Sequence, residues 1–118
     1  MAYEPSEATG VWILAEQEKG EIHPVTYELL KKAGELSDDL DTELTAVLCT
    51  PDKNKAHELI YRGADRVIIL EDERFNTPDE LFFKDNMVDL VEKEKPHIFL
   101  VGATNFGRSL APRIAAAL

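Results

Sequence analysis

The sequence predicts an α/β fold, a doubly wound parallel sheet sandwiched by helices. Three observations predict it. Short, continuous apolar runs recur four times along the chain. Helix-forming stretches separate them, and no hairpin signal joins one run to the next. At 118 residues, 44% of them hydrophobic, the chain holds enough for one core.

Residues 1–10 are polar and aperiodic and read as a flexible lead-in. VWILA (11–15) is a run of β-formers with no polar alternation, as a strand buried on both faces requires. The turn-prone residues 16–21 follow. Pro24 then suits the first turn of a helix, where its missing N–H costs nothing. Leu29, Leu30, Ala33, Leu36 and Leu40 recur at helical spacing, so 24–40 reads as an amphipathic helix. ELTAVLC (43–49) is the second strand, and 52–62 is a short helix stopped by Gly63. DRVIIL (65–70) is the third strand. Residues 79–95 form a second long helix, with Leu81, Phe82, Val88, Leu90 and Val91 supplying much of its stripe and Pro96 ending it. HIFLV (97–101) is the fourth strand, Trp12 and Phe99 belong to the core, and RIAAAL (113–118) is helix-forming. The plan is Rossmann-like, truncated after the helix that follows the fourth strand. An apolar helix at that point is the expectation for a piece of a longer polypeptide.

The composition narrows the functional classes. A formal net charge of −10 argues against nucleic acid or an anionic membrane as partner, because both demand a basic surface. No apolar run approaches the roughly 20 residues of a membrane span. Residues 1–10 lack the basic start of a secretory signal, so a cytoplasmic location is expected. A single cysteine, Cys49, excludes an intramolecular disulfide and a cysteine-cluster metal site. At a strand end with no neighbouring histidine, it reads as a small buried apolar residue. His23, His57 and His97 are scattered, so no metal site is expected and surface or capping roles suit them. Glu71-Asp72-Glu73 reads as a solvated carboxylate run, and no Ser/His/acid set is visible.

The chemistry concentrates in GATNFGRS (102–109). Gly102 and Gly107 bracket four residues and precede Arg108-Ser109, one residue away from the phosphate loop G-x-x-x-x-G-K-[ST]. A hydrolytic loop needs lysine as a compact charge and a later acidic strand end for magnesium. Here arginine replaces lysine, and the motif follows the last visible strand. A gentler reading keeps Gly102, Ala103, Thr104, Gly107 and Arg108 as a nucleotide loop. In it the glycines permit close backbone approach and helix-start N–H groups face an anion. Glu16, just past the first strand, faces the same crevice. The structural reading is a tight turn with Arg108 in a salt bridge, and the residues alone leave both open.

VWILAEQ (11–17), HPVTYELLKKAGEL (23–36), GADRVIIL (63–70) and KPHIFLVGATNFGRSLAPRIAAAL (95–118) together resemble the N-terminal domain of the electron transfer flavoprotein α subunit. The resemblance covers residues 11–118. It rests above all on G-A-T-x-x-G-R-x-L-A-P-R, with Asn105, Phe106 and Ser109 varying between the fixed points. It implies the adenine nucleotide α-hydrolase-like group of α/β folds, to which universal stress proteins belong. The parent would pair with an electron transfer flavoprotein β subunit and carry electrons between flavin dehydrogenases and an acceptor; some relatives in anaerobes bifurcate electrons from NADH. FAD would be held mainly by a C-terminal domain absent from this chain, and none is expected on the chain alone. The domain would serve as scaffold and subunit contact, with 102–108 a vestigial nucleotide loop. A stand-alone adenine-nucleotide-binding module of the universal-stress type is the alternative.

Overall fold

In the computed structural model, which describes residues 9–118, the chain alternates strands and helices as its hydrophobic pattern requires. The elements run β1 (Val11–Ala15), β2 (Gln17–Glu18), β3 (Glu21–Ile22), α1 (Pro24–Asp39), β4 (Leu44–Thr50), α2 (Ala56–Tyr61), β5 (Arg66–Glu71), α3 (Glu80–Glu94), β6 (Ile98–Leu100) and α4 (Asn105–Ala117). β1, β4, β5 and β6 form one parallel sheet in the order β5-β4-β1-β6. Val11 pairs with Leu44 on one side and Ile98 on the other, which makes β1 and β4 central. Every residue of β1 and β4 is buried, the reason both read as unbroken apolar runs.

The two faces carry separate cores. Leu30 and Ala33 of α1 and Leu59 of α2 pack on Val11, Ile13, Ala46 and Leu48. Phe83, Met87 and Val91 of α3, with Leu110 and Ile114 of α4, pack on Trp12, Leu14 and Val47. Trp12 meets the half-buried Phe99 edge-to-face at 5.7 Å. The chain leaves β1 toward β4 and later reaches β6 on the other side of β1. The carboxyl ends of β1 and β6 therefore flank the sheet's topological switch point, where ligands of such sheets collect.

Four expectations need correction. Residues 17–22 are not a plain turn: Gln17 pairs with Ile22 and Glu18 with Glu21 in a small antiparallel hairpin. Lys19 and Gly20 both have positive φ at its tip, and lysine's poor fit there hid the hairpin pairing, though not the turn, from the sequence. The helix expected over 52–62 divides into a 3₁₀ turn (Lys53–Lys55) and α2, and Asp52 caps the turn through the amide of Asn54. In α3 the buried stripe is Phe83, Met87 and Val91, and Leu81 is exposed. Asp79 caps the helix through the amides of Leu81 and Phe82, which fixes a phase that turns Leu81 outward. Leu40, placed on the apolar stripe of α1, caps the end of that helix and is exposed. The lead-in lies outside the described residues except for Thr9 and Gly10. Gly10 is buried at φ +89°, and its carbonyl accepts the N–H of His97 at 3.0 Å.

Candidate functional site

At the switch point the chain makes a clasp. Thr104 is the N-cap of α4: its hydroxyl accepts the N–H of Gly107 at 3.0 Å, and its carbonyl accepts that of Arg108 at 2.8 Å. The same hydroxyl donates to Oε1 of Glu16 at 2.7 Å. Glu16 is only 9% exposed, although it sits at the mouth of a crevice. Its backbone is held equally firmly. The Glu16 amide donates to the hydroxyl of Thr26, which donates back to the Glu16 carbonyl, and that carbonyl also accepts the N–H of His23 at 2.8 Å. One residue thus ties the end of β1 to α1 through its backbone and to the start of α4 through its carboxylate.

The glycines of the loop follow from this packing. A Cβ on Gly107 would fall inside the carbonyl oxygen of Gly102, so only glycine lets α4 start so close to β6. A Cβ on Gly102 would stand 2.8 Å from Cγ2 of Val25 and 2.9 Å from Oε2 of Glu16. The close approach expected of the two glycines is real, but the approaching atoms are the protein's own. The expectation that helix-start amides face an anion is corrected for Gly107 and Arg108, whose N–H groups are taken by Thr104. Glu16, Gly102, Thr104 and Gly107 come together in one contact set. Ala103 and Arg108 are exposed, and Arg108 makes no ion pair among the described residues. A flavin or nucleotide diphosphate does not fit the clasp as it stands, because its clearance is filled and a carboxylate lies against it.

Beside the clasp is a cavity of about 270 Å³ at the carboxyl ends of β1 and β4. Its walls include Ala15, Glu16, Cys49, Phe75, Phe83 and Phe106. Phe83 stacks edge-to-face on Phe106 at 4.9 Å and on Phe75 at 4.8 Å. Glu16 and Glu18 line the cavity, and among the described residues Lys19 is its one cationic wall residue, so it suits an apolar group better than a phosphate. Burial pushes the Cys49 thiol up to about 12, which keeps it protonated and a poor nucleophile. Sequence reasoning missed this aromatic wall. Phe75, Phe83 and Phe106 come from three separate elements, and no spacing in the chain announces their meeting.

His23 and Asp72 have structural roles. Nδ1 of His23 accepts the N–H of Val25 and caps α1. Asp72 caps a 3₁₀ turn, and the guanidinium of Arg74 holds its carboxyl below the usual range. Among the described residues no group of histidine, cysteine or carboxylate side chains is arranged to hold a metal ion. No described helix is long and apolar enough to cross a membrane.

Residues 11–118 match the family described as "Electron transfer flavoprotein domain". The electron transfer flavoprotein subunit alpha of Megasphaera elsdenii is 39% identical over 114 residues, 96% of this chain and 34% of that protein. The subunit of the same name from Clostridium acetobutylicum is 42% identical, over 92% of this chain and 33% of that protein. The lactate dehydrogenase (NAD(+),ferredoxin) subunit LctC of Acetobacterium woodii is 38% identical, over 98% of this chain and 28% of that protein. The chain thus spans about a third of the length of these curated relatives.

Proposed function

The chain belongs to the electron transfer flavoprotein domain family, and from that premise we propose that it is the N-terminal scaffold and subunit-contact domain of an α-type subunit. The full protein would pair with a β subunit and carry electrons between flavin dehydrogenases and an acceptor. FAD would supply the chemistry from a C-terminal domain outside this chain. The protein around a flavin contributes position, electrostatics and exclusion of water.

The single observation that carries the scaffold reading is the filled clasp. Gly107 is packed on the carbonyl of Gly102, and Thr104 is closed onto Glu16, so the nucleotide loop of this fold is used for internal packing. Similarity to relatives whose names place them in electron transfer flavoproteins supports the rest. The test is co-purification of the chain with an electron transfer flavoprotein β subunit, followed by analytical ultracentrifugation. A one-to-one complex is expected, and two independently sedimenting species at micromolar concentration would contradict the contact role.

The aromatic cavity favours a second reading, a stand-alone adenine-nucleotide module, since it lies at the carboxyl ends of the strands. Calorimetric titration with AMP and ATP separates the two. Micromolar binding to the unmodified chain supports the module, and silence supports the scaffold.

A further inference from the structure

Protein interiors close-pack and leave few voids larger than a water molecule, yet about 270 Å³ stays open at the carboxyl ends of β1 and β4. Drug-sized ligands occupy pockets of about 300–1,000 Å³, so this cavity admits one or two fused rings. One wall is aromatic. Phe75 and Phe83 are buried and Phe106 is half-buried, and the rings of Phe75 and Phe106 both pack on Phe83, at 4.8 and 4.9 Å between centres. The charged wall residues are Glu16, Glu18 and Lys19, two carboxylates to one ammonium. Glu16 is nine-tenths buried, and its Oε2 has no hydrogen-bond partner among the described residues. A positive charge inside the cavity stabilises that carboxylate by Coulomb attraction through a low-dielectric wall, without having to touch it. Phenyl rings attract cations as well. An anion meets the opposite sign of interaction at each of these groups.

We propose that this cavity is a binding site for a small aromatic cation, an amine or amidine built on one or two rings. The ring lies against the phenyl wall, and the charged end lies toward Glu16 and Glu18. The site uses neither the amides nor the glycines of the α4 loop, so the filled clasp does not obstruct it. The inference goes beyond the scaffold reading, since a supporting domain can carry such a site. It differs from the adenine-nucleotide reading in the sign of the ligand's charge.

The test takes three probes of one shape, cationic benzamidine, neutral benzamide and anionic benzoate. Each is titrated into the isotope-labelled full chain and followed by amide NMR shifts. Benzamidine is expected to shift the amides of Gln17, Glu18, Lys19, Cys49 and Asn76 saturably, with benzamide weaker and benzoate about tenfold weaker than benzamidine. Glu18→Lys reverses an exposed charge at the wall and is expected to weaken benzamidine about fivefold. Cys49→Met fills the cavity from its own wall and is expected to remove binding; should it unfold, Glu18→Lys carries the test. Equal affinity for benzamidine and benzoate would overturn the proposal. So would the absence of a saturable benzamidine shift, or shifts that map away from the cavity. Tighter binding of AMP than of benzamidine at the same amides would overturn it in favour of the nucleotide module. Loss of the β-subunit complex would instead count against the scaffold reading, so the two failures are distinguishable.

Discussion

At the scale of residues, a few atoms decide what the switch-point loop is. Gly107 is needed for space: its missing side chain is where the carbonyl of Gly102 lies. Gly107→Ala is therefore expected to destabilise the chain by about 3 kcal/mol, the upper end for overpacking, because the obstructing atom is backbone and cannot swing away. Urea unfolding at constant m-value measures this, and a change under about 0.5 kcal/mol, the range of an ordinary surface substitution, would show that α4 shifts freely. Cys49 supplies a pH signature. Its thiol moves from an ordinary 9.0 to about 12 on folding, so the folded chain holds the proton more tightly than the unfolded chain. That contribution is fully present below about pH 9 and is lost as pH rises toward 12. A thiol–disulfide reagent should accordingly leave Cys49 unmodified in the native chain at neutral pH and modify it fully in denaturant. Rapid native reaction would mean that the cavity beside it opens to solvent.

At the scale of elements, the clasp joins β1 to α4 through the side chains of Glu16 and Thr104, and β1 to α1 through the Glu16 backbone and Thr26. Thr104→Val keeps the shape but removes the cap of α4 and, among the described residues, the hydrogen-bond donor to the Glu16 carboxylate. The loss is expected to be about 2–4 kcal/mol, a cap plus a buried carboxylate left without its partner, with Thr104→Ser recovering most of it. Thermal melts of the two variants check this, and equal melting temperatures would remove the clasp from the account. The elements themselves were largely legible in the sequence. VWILA and the LTAVLC part of the second run are buried on both faces, as central strands are. Legibility fails where tertiary contact decides the outcome. The phase of α3 depends on the cap at Asp79, and the hairpin at 17–22 carries a lysine at positive φ where a glycine or asparagine would have announced it. Thr104 and Glu16 were each visible as residues facing the crevice. Their bond spans 88 positions, and the topology that joins them is written in no local pattern.

At the scale of the whole molecule, two cores on opposite faces of one sheet make a layered plate. The switch point lies at one end of the plate, where Thr104 of the α4 start donates to the Glu16 carboxylate. Such a plate suits a domain that positions others. In the proposed scaffold reading, the filled loop leaves this domain to support a flavin held elsewhere in the parent protein. The visible absorption spectrum of the purified chain, produced in flavin-replete cells and normalised to protein, tests this most directly. The account predicts a colourless protein whose spectrum ends with the tryptophan and tyrosine bands. A yellow chromophore stoichiometric with the chain, retained through gel filtration, would contradict it.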